Sequence, residues 1–198
     1  MIAMLPQSLV INGVKYPIRT NKDDILKIIK AFNDPDLEER EKVYICLYIL
    51  IKDFDKLPQE DYQEAFDKAI GFIDCGIKSK DSKPSPRLMD WEQDAAILFP
   101  AINKVAGRET RSFKYIHWWT FMGYYMNIET GMFATVLNVR SKKAKHQKLD
   151  KWEQDFWNNN RTICKLETRL SKEEQREKDN LLAIISGKKK VGDENERK

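Results

Sequence analysis

Phe113-Lys114-Tyr115-Ile116-His117-Trp118-Trp119-Thr120-Phe121-Met122-Gly123-Tyr124-Tyr125-Met126-Asn127-Ile128 decides how the chain folds. Its apolar residues fall on nearly every side of a helical projection. A helix apolar all round is buried by its neighbours. The spacing therefore predicts a central helix over 113–128, with its aromatics as core packing rather than the wall of a ligand pocket.

Upstream, Asp90-Trp91-Glu92-Gln93 reads as a capping box, with Asp90 as cap and Gln93 reaching back. Trp91, Ala95, Leu98, Ile102 and Val105 then recur on one helical face, which Pro100 should kink. Downstream, Met132, Phe133, Val136 and Leu137 lie on one side of a helix over Thr130–Val139. Trp152, Phe156 and Trp157 start another stripe, which Ile163, Leu166 and Leu170 extend. Ser171-Lys172-Glu173-Glu174 is a second capping box, opening a charged helix that ends at Gly187.

In the N-terminal half, Leu9–Ile18 reads as a β-hairpin turning on Asn12-Gly13, the pair that accepts positive φ in a tight turn. A helix from Asn21 buries Ile25, Ile28, Ile29 and Phe32. Asn33-Asp34-Pro35 stops it and starts a second helix, capped by Asp34 and running to about Phe54. The apolar run Val43–Ile51 predicts burial on most sides. Leu57-Pro58 opens a third helix, which Gly76 ends. Residues 77–86, with two prolines, three serines and alternating charges, read as a linker. The expectation is an all-α fold: one compact helical domain over 1–187 with a small N-terminal β-hairpin, in halves 1–76 and 87–187, and a disordered tail over 188–198.

Composition agrees. Of 198 residues 41% are hydrophobic, enough for a core, while 8 glycines and 7 prolines are too few for a turn-rich sandwich or barrel. Three cysteines without CxxC spacing suit neither a disulfide framework nor a zinc site; Cys46 reads as a small buried hydrophobe. No apolar run approaches the ~20 residues that span a bilayer, and no secretory signal is evident. Net charge is only +4, yet residues 34–77 carry 12 acids against 5 bases and residues 111–151 carry 8 bases against 2 acids. The blocks can pair within one molecule or steer a partner of mixed charge.

Asp90, Glu92 and Asp94 invite a metal reading, but residues two apart on a helix diverge and capping explains the first two. His117 reads as packed, and His146 sits among lysines. No catalytic motif is complete, so neither catalytic residues, metal nor cofactor are expected. The surface candidates are Arg140, Lys142, Lys143, Lys145 and Lys148, followed by Lys151, with Trp152 and Trp157 beside them. This basic and aromatic run suits a solvated helix face, phosphate contacts with base stacking, or an acidic protein partner. Nucleic acid is the weaker expectation at so low a net charge.

Met89–Leu166 also carries a resemblance. Asp90-Trp91-Glu92-Gln93-Asp94-Ala95-Ala96-Ile97, then Ile116-His117-Trp118-Trp119-Thr120-Phe121, then Thr130, Phe133, Val136 and Val139-Arg140 resemble the bacteriophage gene-product-fifteen family of long-tailed phages and prophages. The resemblance implies a tail-module protein acting in the host cell cytoplasm. Its gene position implies a tail-assembly chaperone for the tape-measure protein, without catalytic residues. A structural tail component of the virion and a nucleic-acid-binding accessory protein are the alternatives.

Overall fold

The computed structural model describes residues 4–77 and 86–186. Asn12 and Gly13 take φ of 45° and 77°, so β1 (Ser8–Ile11) and β2 (Val14–Pro17) form the expected antiparallel hairpin, with Leu9 opposite Tyr16. Leu9, Ile11 and Tyr16 turn inward. Past the hairpin, Ile18 bridges to Ile51, and the Arg19 guanidinium donates to the carbonyls of Tyr48, Ile49 and Ile51.

Helix α1 (Lys22–Phe32) starts at Asn21 and buries Ile25 and Ile28. The next helix departs from expectation. Asp34 accepts the Asp36 amide in a local turn, and α2 (Glu39–Leu50) begins instead with a reciprocal Glu38–Glu41 capping box. It stops before Phe54 because Ile51 and Lys52 are drawn out to pair with residues 17–19. Nor is α2 buried on most sides. Cys46, Leu47 and Leu50 are covered, but Tyr44 and Tyr48 stack on each other, 51% and 57% exposed. Burial pushes the Cys46 thiol up to about 12, as befits a packing residue.

Helix α3 (Tyr62–Ile73) turns Ala65, Ala69, Phe72 and Ile73 inward. Its end is a Schellman motif, with Gly76 N–H on Gly71 O and Cys75 N–H on Phe72 O. The left-handed residue at the cap is Cys75 (φ 57°), with Gly76 (φ 73°) following. Helix α4 (Ala95–Ala106) runs through Pro100 and ends at left-handed Gly107. Leu98 and Ile102 are buried, while Val105 at the end of the stripe is exposed.

The deciding stretch forms a helix only from α5 (Trp118–Met126). Residues 113–117 are extended, because the backbone of Thr20–Lys22 competes for them: Lys22 N–H donates to Ile116 O at 2.9 Å and Trp118 N–H to Thr20 O at 2.7 Å. His117 is packed, as expected. Its Nδ1 accepts the Trp119 amide, which leaves Nε2–H to donate to the Pro6 carbonyl. Trp118 and Phe121 sit fully in the core. The Trp118 and Trp119 indoles donate to the carbonyls of Ile73 and Phe72, tying α5 to the end of α3.

Helices α6 (Met132–Ala144), α7 (Lys151–Asn159), α8 (Arg161–Cys164) and α9 (Lys172–Ile185) complete the order. The stripe expected across 152–170 is broken at Asn160 and again after Cys164. The Ser171–Glu174 capping box is present. Buried residues of both halves form one cluster, from Leu9 to Phe133. Most of the expected linker, Gly187 and the 188–198 tail lie outside the described residues.

Candidate functional site

Helix α6 buries Phe133, Val136, Val139 and Arg140. Arg140 is therefore on the core stripe and not on the basic surface with the lysines, which corrects its reading as a partner-binding residue. Its guanidinium is 5% exposed, and all five N–H groups are used. Nη1 and Nη2 grip Asp94 at 2.7 and 2.8 Å. The remaining donors reach the carbonyls of Cys164, Leu88 and Ile163. One side chain thus fastens α6 to the entry of α4 and to the end of α8.

Four residues earlier, Asp90 caps the 91–94 turn, accepting the amides of Glu92 and Gln93 at 2.8 and 2.9 Å. The residue that reaches back is Asp94, onto the Asp90 amide, rather than Gln93. Gln93 instead holds the Lys165 carbonyl and the Glu167 amide. Asp90 also pairs with Arg87 and Arg169, and Glu92 with Arg169 and Lys30. These carboxylates are held by guanidinium and ammonium groups, and among the described residues no cluster could hold a metal ion. Burial pushes the Asp90 carboxyl up, but the Gln93 amide, Arg169 and the Glu92 amide together outweigh it and hold it below the usual range. Lys30 does most to lower Glu92.

A carboxyl lowered by folding stabilises the fold above its unfolded pKa, and the gain disappears as pH falls through the lowered value. The melting temperature of Asp90→Asn is accordingly expected below wild type at pH 7, with the gap closing below about pH 4. A gap that stayed constant down to pH 2 would contradict this role.

The lysine–tryptophan face is only partly as expected. Lys142 pairs at 2.5 Å with Glu153, which is itself buried as the far half of the Asp150 capping box. Lys143 lies 4.0 Å over the half-buried Trp157 ring. Lys145, Lys148 and Lys151 are exposed and outside any ion pair of the described residues. Trp152, 61% exposed and stacked on Phe156, is the free aromatic of this face.

The other candidate is an apolar groove between α1 and the start of α4. Leu26, Ile29, Trp91 and Phe99 line about 340 Å³, with Asp23, Lys27, Lys30, Glu92 and Arg169 at the rim. Ile29 and Trp91 lie on the helical stripes expected in the core, whereas Leu26 and Phe99 lie off them, because helical stripes do not show where two helices leave a gap. The Asp94–Arg140 pair was more accessible: Arg140 follows Phe133 and Val136 at helical spacing, which marks it as inward-facing.

Fold and site together define a small helical body fastened by buried carboxylate–guanidinium pairs and offering a groove and a basic face. The chain belongs to the bacteriophage gene-product-fifteen family, whose model, described as Bacteriophage Gp15 protein, matches residues 1–166. Helix α9 lies beyond the matched residues. No curated protein and no solved structure matches the chain. Among the described residues no helix is long and apolar enough to cross a membrane.

Proposed function

We propose that this phage protein is a tail-assembly chaperone for the tape-measure protein, acting by non-covalent binding, without catalysis, in the host cytoplasm. The observation that carries the reading is the groove of Leu26, Ile29, Trp91 and Phe99 with its two-signed rim. An amphipathic helix lays its apolar stripe into such a groove, and rim charges fix its register. A long helical client exposes stripes of that kind before assembly, and capping them shifts it away from aggregation by mass action.

Co-expression with the tape-measure protein of the same tail module tests this reading. The wild type is expected to raise the client's soluble yield several-fold and to co-purify with it. Leu26→Glu, at a half-buried groove position, should lose both effects while keeping a cooperative thermal melt. Leu26→Ser serves where the charged variant does not fold. No gain in soluble client from the wild type, with the client confirmed expressed, would overturn the reading in favour of a structural tail component.

A further inference from the structure

The apolar groove is continued by a second cavity. The groove runs beside α1 from Asp23 to Asn33, a stretch that rises about 15 Å. The second cavity, of about 460 Å³, carries on beside residues 34–36. Glu92 and Arg169 line both, and they form a bar between them. Lys30 of α1 pairs with Glu92 at 2.7 Å, and Glu92 pairs with Arg169 at 2.8 Å. Arg169 is only 27% exposed and also donates from Nε and Nη2 to Asp90. The segment that carries it is laid along residues 90–93 at alternate positions. Gln93 holds the Lys165 carbonyl and the Glu167 amide before Arg169, and the Lys172 amide reaches Asp36 after it. Arg169 itself lies beyond the residues that the family model matches.

The chemistry changes at this bar. On one side lie Leu26, Ile29, Trp91 and Phe99. On the other, the lining sets the five carboxylates of Asp34, Asp36, Asp90, Glu92 and Glu167 against the one guanidinium of Arg169. Lys30, Arg87 and Lys172 pair with three of them from outside the lining, and the balance stays negative. The carboxylates of Asp34 and Glu167 enter no ion pair among the described residues.

We infer that the Glu92–Arg169 bar sets which client helix the groove accepts: one whose apolar stripe runs for about two turns and is followed, a turn further on, by a lysine or arginine. The inference rests on the groove reading and adds to it the chemistry of the client. Apolar residues at i, i+4 and i+7 span about 10 Å and fit within the groove, whereas i+11 lies about 16 Å from the first and falls past the bar. A leucine there would strip water from carboxylates and offer them no hydrogen bond in return. A glutamate would be repelled. A lysine lays its alkyl stem over the bar and its ammonium among the acids.

Fluorescence anisotropy of the full chain with labelled helical peptides tests it. Each peptide carries Leu at i, i+4 and i+7 on an alanine–glutamine background, with Lys, Leu or Glu at i+11. A second set places the variable residue at i−4, because a helix can enter the groove in either direction. In one of the two sets the Lys peptide is expected to bind about tenfold more tightly than the Glu peptide and about threefold more tightly than the Leu peptide. The pair variant Arg169→Leu/Glu92→Leu removes one charge of each sign and makes the bar apolar, so the Leu peptide should then bind at least as tightly as the Lys peptide. Asp34→Asn/Glu167→Gln should bring the Lys and Glu peptides within about threefold of each other and leave the Leu peptide unchanged. A general loosening of the fold weakens all the peptides alike and does not move these ratios. Arg169→Met/Glu92→Gln gives the same comparison if the double leucine variant does not melt cooperatively. Wild-type affinities within about twofold of one another in both sets would overturn the inference and leave the groove reading standing. So would a Lys-to-Leu ratio that the pair variant does not move. Binding of none of the peptides would overturn the groove reading, and the inference with it.

Discussion

Arg140→Ala is expected to destabilise the protein by about 3–5 kcal/mol, because it leaves the buried Asp94 carboxylate without its cation. Asp94 is 2% exposed and Arg140 5%, so water cannot replace the lost partner. The same change also releases the carbonyls of Leu88, Ile163 and Cys164. In a chain of this size the loss corresponds to roughly 6–20 °C in melting temperature. Asp94→Ala should cost a similar amount. Replacing both, as Asp94→Leu with Arg140→Met, should recover part of it, since apolar substitutes for a buried pair are often tolerated. Lys145→Ala, on the exposed face, should stay within about 0.5 kcal/mol. Urea denaturation checks all four, and a cost below about 1 kcal/mol for Arg140→Ala would mean that the clasp does not hold α6 in place.

Trp118→Ala is expected to cost about 3–5 kcal/mol through the cavity it opens. Trp118 is 1% exposed and packs against Trp91 and Phe121. Trp118→Phe separates packing from hydrogen bonding: it keeps an aromatic ring but withdraws the 2.7 Å donor from the Ile73 carbonyl, a loss of about 1–3 kcal/mol. Trp152→Ala, by contrast, should leave the melt nearly unchanged, since that indole is mostly in water. A Trp118→Ala protein as stable as wild type would contradict the central place given to α5.

Elements governed by local chemistry were legible in the sequence. Asn12-Gly13 specified the hairpin, Ser171 and Glu174 their capping box, and Ile25 and Ile28 the inward face of α1. What escaped the sequence was decided by distant backbone. Residues 113–117 have helical apolar spacing, yet they pair with Thr20–Lys22, nearly a hundred positions away. Likewise α2 ends early because Ile51 is claimed by Ile18. Tyr44 and Tyr48 read as buried because hydropathy does not distinguish a covered tyrosine from one whose ring stacks in water. Among the surface candidates, Lys145, Lys148 and Trp152 are exposed, whereas Lys142 is held by Glu153. Arg140 was misplaced because a run of bases conceals the one that falls on the apolar stripe. The groove was out of reach, since it belongs to the space between α1 and α4 and to no single helix.

The central claim, that a client helix lies in this groove, is tested most directly by hydrogen–deuterium exchange of the chain with and without the tape-measure protein. Slowed exchange is expected in α1 and across residues 91–99, with the amides of α9 unchanged. Binding that left those two segments exchanging as in the free protein, or that slowed only residues elsewhere, would contradict it.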